Sequence, residues 1–230
     1  MRGGPTSTGR APAGSTVGAA LACALALAAC DGARDPVATG TPRAALEIEG
    51  GASLGREELA SFDAYYEALD PTIGLRHRRA VLLERHFVPL ALARAAFPGP
   101  RATARERAGA LCSVVGNALE LRRSGGEELG PLARSALPVP VAAWARDESL
   151  LGAVSPPLET ADAVLVVALL ELQPGFTPVH DHLRLGVVRF PAHDQPDFAV
   201  WLLEEQARRK GRVLHCDPDL RAAVPAWLAP

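Results

Sequence analysis

A cationic end carrying Arg2 and Arg10, an apolar run over residues 17–29, and Leu27-Ala28-Ala29 directly before Cys30 give the N-terminus the layout of an export signal. Such a leader is removed from the mature protein, so the fold has to be built from the residues after it. The apolar run is too short for a stable bilayer span. Residues 163–172 form the best apolar stretch downstream, and they are shorter still.

Leu27-Ala28-Ala29-Cys30 resembles the lipobox of bacterial lipoproteins, which implies diacylglycerol on the Cys30 sulfur and cleavage before it. Cys23, behind Leu21-Ala22, is the poorer site, because cutting there leaves residues 25–29 as an exposed apolar stub. Residues 31–42 are rich in Gly, Pro, Thr, Ala and Asp, and Val37 is their one large apolar side chain, so residues 30–44 read as a flexible tether. Asp31 behind the acylated cysteine resembles the inner-membrane retention signal of enterobacteria. The expected location is the bacterial cell envelope, lipid-anchored and facing the periplasm.

Residues 45–230 remain, enough for one or two domains with a core. With 48% apolar residues, 22% charged residues and a net charge of -2, the composition is globular. Lys210 is the sole lysine among many arginines, and no excess positive charge is present to hold phosphate, so nucleic acid is excluded as a partner. Once the leader is removed and Cys30 is acylated, Cys112 and Cys216 are left. In an oxidising envelope they either form one disulfide or stay as two separately buried thiols.

The alternation Ala45-Leu46-Glu47-Ile48-Glu49 predicts a short strand, and Gly50-Gly51 a turn. A helix is expected over 56–69, with Leu59, Phe62, Tyr65, Tyr66 and Leu69 on one face, and a second over 75–97, bent near Pro89. Pro98-Gly99-Pro100 is a stop; a third helix over 102–123 ends at Ser124-Gly125-Gly126, and a shorter one is expected over 127–137. Pro138-Val139-Pro140 reads as a linker or loop. Residues 163–170 are β-branched and apolar, as suits a strand buried on both faces, and 183–190 is a second strand candidate. A helix over 196–210 carries Phe198, Trp201, Leu202 and Leu203 inward, and 212–216 reads as a last strand. The class is α+β with the helices first.

The order of strand, Gly turn, helix and long arginine-rich helix reaching Pro89-Leu90-Ala91-Leu92-Ala93-Arg94-Ala95 resembles the N-terminal domain of SurA-type and PrsA-type envelope foldases. Gly152-Ala153-Val154-Ser155-Pro156-Pro157-Leu158-Glu159-Thr160, followed by the Val-rich strand, is similar to the closing motif of parvulin prolyl isomerase domains. The resemblance implies a SurA-like helical domain over 45–137, a reduced parvulin-like α+β part over 138–190, and a C-terminal helix and tail over 191–230. It departs at the chemistry. Residues 101–115 hold no histidine where the family opens with a His-Ile-Leu type strand, and Ala161-Asp162-Ala163-Val164 stands where the family has Gly-aromatic-His.

Other chemistry is thin. His180-Asp181-His182 offers two imidazoles around a carboxylate, and a strand would aim both to one face, so His180 and His182 are weak metal candidates with solvated loop histidines as the alternative. No Gly-x-Ser-x-Gly elbow and no phosphate loop is present. No cofactor is expected. The resemblance implies a foldase-like protein that holds unfolded or partly folded exported polypeptides without isomerase catalysis. Its groove would lie between the first helices and the C-terminal helix, with Phe62, Tyr66, Phe87 and Trp201 as candidate lining residues. A working isomerase with a rearranged site and a non-catalytic docking lipoprotein are the alternatives.

Overall fold

In the computed structural model, which describes residues 44–146 and 148–229, the chain opens with a hairpin of β1 (Leu46–Ile48) and β2 (Ala52–Leu54). Gly50 and Gly51 turn it at φ +89° and +85°, a left-handed pair that L side chains rarely adopt. The leader, Cys30 and residues 31–42 lie outside the described residues.

α1 (Arg56–Leu69) follows, within the bounds its periodicity predicts. The second predicted helix is one rod of α2 (Leu75–Leu82), a π-helical turn (Leu83–Phe87) and α3 (Val88–Ala96). The disturbance expected near Pro89 takes the form of that wide turn. Pro89 has no N–H to give the Arg85 carbonyl, and the Val88 N–H reaches back five residues to Leu83. The extra residue in the turn lets Leu82, Leu83, His86 and Phe87 all face inward. α3 is buried from Val88 to Ala93, as a helix apolar on all sides must be.

The predicted third helix is two: α4 (Pro98–Val114) and α5 (Ala118–Arg123). Asn117 caps α5 by accepting from the Glu120 N–H at 3.1 Å, while the Glu120 carboxylate accepts from the Gly116 N–H at 2.6 Å, so a local cap outcompetes helix continuation. The helix expected over 127–137 is instead β3 (Glu127–Ala133) and a short 3₁₀ turn (Arg134–Ala136). Pro131, which would interrupt that helix or begin it anew, is equally at home on an edge strand, and a pairing partner decides for the strand. Pro138-Val139-Pro140, read as a linker, begins α6 (Val139–Trp144), with proline in its first turn.

β4 (Leu158–Glu159), β5 (Ala163–Gln173) and β6 (His182–Pro191) complete an antiparallel sheet of order β3-β6-β5-β4. β5 is buried on both faces, as its composition predicts. Val164, Val166 and Ala168 pack under Ala104 and Ala108 of α4 and Leu121 of α5, while Leu165, Val167 and Leu169 pack with Val141 and Ala145 at α6. Finally α7 (Phe198–Arg208) leads to β7 (Val213–Cys216), which pairs with β1 to make a second antiparallel sheet of order β2-β1-β7. The architecture is mixed α+β. Leu220, Ala223 and Leu228 of the tail join Leu46, Ile48, Leu82 and Phe87 in one core, so the first and last segments close together around the excursion through α4 to β6. Among the described residues no helix is long and apolar enough to cross a membrane.

Candidate functional site

The seam where the helical rod meets the 134–139 segment opens a groove. Its larger cavity, about 560 Å³, is bounded by Tyr66 of α1, Arg85 and His86 of the π turn, residues 135–139, and Thr160, Ala161 and Asp162. A smaller cavity of about 150 Å³ adjoins it, sharing Tyr66, Arg85 and Ser135 and continuing under Leu69, Ile73 and Val81.

Two sides of the groove are fixed by buried arginines. Arg134, 1% exposed, donates to the carbonyls of Pro178 (3.0 Å), Ala142 (3.2 Å) and Ala145 (2.7 Å), and to the Asp181 carboxylate at 3.0 Å. Tyr65 Oη donates to the same Ala142 carbonyl at 2.8 Å and so ties α1 to the opposite wall. Arg101, also 1% exposed, donates to the carbonyls of Ala161 at 2.8 Å and Thr160 at 2.7 Å, which holds the third side. Thr160 Oγ1 donates to Asp162 at 2.6 Å, and Arg189 pairs with the same carboxylate.

Beside the groove, Glu159 accepts from Arg94 and Arg105, and Arg94 also reaches Glu58. Burial pushes the Glu159 carboxyl up, but the bonds and charges of Arg105 and Arg94 outweigh it and hold the pKa at about 2. His86 is the opposite case. Burial, with a smaller push from Arg94 against a pull from Glu159, lowers it to about 4, so a neutral imidazole faces the cavity. Burial also raises the Tyr66 phenol, which stays protonated at neutral pH.

The four aromatic residues expected to line a groove are split up. Phe62 and Phe87 meet edge to face, with centroids 5.5 Å apart, and Phe87 is 2% exposed, a core side chain. Tyr66 lines the groove. Trp201 packs on Phe97 at 4.6 Å and on Phe198 at 5.2 Å, which fills the space between the first helices and α7 where the groove was expected. Arg85, His86 and the 135–139 segment went unrecognised in the sequence. Pro89, four residues after Arg85, was the available sign of a widened turn there.

His180 ends a 3₁₀ turn (Pro178–His180) and bonds the Thr177 hydroxyl through Nδ1, while His182 starts β6, so no common strand aims them together. The carboxylate between them, Asp181, is taken by Arg134 and by the Gly175 N–H at 2.8 Å. Among the described residues no group of three or more His, Cys, Asp or Glu side chains is placed to hold a metal ion. Cys112 and Cys216 are free thiols in different cores rather than a disulfide, each donating to a backbone carbonyl at 3.4 Å. The lipidation candidate Cys30 lies outside the described residues. The chain matches no protein-family model, no curated protein and no solved structure.

Proposed function

We propose that this chain is a SurA/PrsA-like envelope foldase, anchored through lipid on Cys30, that holds unfolded exported polypeptides without isomerase catalysis. The observation that carries the reading is the groove of about 560 Å³, walled by an aromatic ring, the aliphatic Leu137-Pro138-Val139 stretch and a few hydrogen-bonding groups. Such a mixture suits extended chain, whose side chains need apolar contact and whose backbone needs polar partners. Ala161-Asp162-Ala163-Val164, which stands where the family has Gly-aromatic-His, holds no histidine, and its Asp162 is already engaged by Thr160 and Arg189. In the test, the full-length chain in detergent is added to a chemically unfolded client on dilution. Suppressed aggregation at equimolar chain is the expected result; none at severalfold excess removes the reading.

One observation favours an isomerase with a rearranged site: neutral His86 opens into the same cavity as Ala161 and Asp162. A proline-peptide isomerisation assay separates the two. A rate equal to buffer ends the enzymatic reading, and a rate lost in His86→Ala sustains it.

A further inference from the structure

Within the polypeptide-binding reading, on which this step rests, one side chain sets what the groove selects. The arginines of the rod are engaged almost throughout. Arg76 donates to the Ala222 carbonyl, Arg78 to the Ile73 carbonyl, Arg79 to Asp63 and Asp219, and Arg94 to Glu58 and Glu159. Arg85 is exposed, and among the described residues it has no hydrogen bond or ion pair; Tyr66 feels its charge across the groove. The groove's own carboxylate, Asp162, is matched by Arg189, and His86 is neutral above about pH 4. Arg78 and Arg134 also line the smaller cavity, but Glu67 at 3.7 Å and Asp181 at 3.0 Å offset them, so the fixed charge left unpaired at the groove is the Arg85 guanidinium.

Its position matters as much as its charge. Arg85 belongs to both cavities, so it stands where they join, with space on either side. A chain end would need space on one side only; a segment passing through uses both. The smaller cavity has an apolar part made by Leu69, Ile73, Val81 and Val179, with His77, Arg78 and Arg134 also on its wall, and at about 150 Å³ it has the size of cavities that take a benzene ring. A guanidinium presents paired donors to a carboxylate, a geometry that neither an amide nor a hydroxyl repays equally.

We propose that the groove selects extended segments with an internal acidic residue next to a large apolar one, the carboxylate on Arg85 and the apolar side chain in the cavity of Leu69, Ile73 and Val81. Fluorescence anisotropy with the full-length chain in detergent tests this on labelled Gly-Ser decapeptides, acetylated and amidated, with Glu-Phe or Gln-Phe at the centre. Glu-Phe is expected to bind about tenfold tighter, Arg85→Gln to equalise the two affinities, and Arg85→Lys to keep part of the preference. Arg123→Gln, at an exposed residue of α5 away from the groove, should keep all of it. Equal binding of the two peptides by the parent chain overturns the acidic selectivity and leaves polypeptide holding intact. Preference confined to a decapeptide with a free C-terminal carboxylate overturns the internal-residue assignment. Binding of neither peptide overturns both this proposal and the reading beneath it.

Discussion

Arg134 Nη2 donates to Asp181 Oδ2 across 3.0 Å, joining the 3₁₀ turn after β3 to the residue before β6. The pair explains why Asp181 sits between two histidines without serving a metal. Its other oxygen accepts from Gly175, so the carboxylate is fully used in closing the loop between β5 and β6. Replacing Arg134 by Met would leave the Asp181 charge and the carbonyls of Ala145 and Pro178 buried without this donor. The expected loss is about 4 kcal/mol or more of unfolding free energy by urea titration, with Asp181→Asn costing about 3 kcal/mol. A loss under 1 kcal/mol for both would show that the hub does not support the fold.

Glu159 serves Arg94 and Arg105 and lies 3.6 Å from Arg101. Its folded pKa of about 2 stands below an ordinary 4.5, so its stabilisation is present above pH 4.5 and is lost as pH falls through about 2. Glu159→Gln is expected to lower stability at pH 7 by about 3 kcal/mol. The gap between parent and variant should narrow in titrations carried from pH 4.5 downward; a gap constant with pH would contradict the assignment.

His86 titrates the other way round. An unfolded chain takes up its proton below about pH 6.5, while the folded one waits until about pH 4, so acidification across that window favours unfolding by about 3 kcal/mol. His86 faces Phe62 and Phe87, with Arg94 and Glu159 as the charges it feels. In His86→Phe that part of the acid slope should disappear, read as the difference between the two stability curves from pH 6.5 to 4. Parallel curves would place the imidazole in contact with water.

Cys30 is expected to carry the anchor. Radiolabelled palmitate should enter the parent chain and not Cys30→Ser, with the variant released from the membrane pellet. Equal labelling of both would move the attachment elsewhere and remove the envelope placement.

Much of the architecture was legible in local pattern. The three- and four-residue spacing over 56–69 and the β-branched run over 163–170 each admit one way to bury their apolar atoms, and the α1 and β5 regions follow them. Of the groove, Tyr66 alone was foreseen among its described lining residues, because an aromatic on a helical face carries its own signal. Arg85 looked like one more charge on an arginine-rich face. What distinguishes it is the lack of a partner, and that depends on where Asp63, Glu58 and Asp219 fall in space.

The sequence by itself determined the periods: which segments have one apolar face, which have two, and where Gly and Pro interrupt them, since those follow from backbone sterics within a few residues. Only the tertiary structure decided that residues 127–133 are a strand, that Trp201 closes a space instead of lining it, and that β7 completes the sheet begun by β1. Each of those outcomes turns on a partner tens to more than a hundred residues away. A local sequence window contains the propensity of a segment but not the free energy of the contact that overrides it.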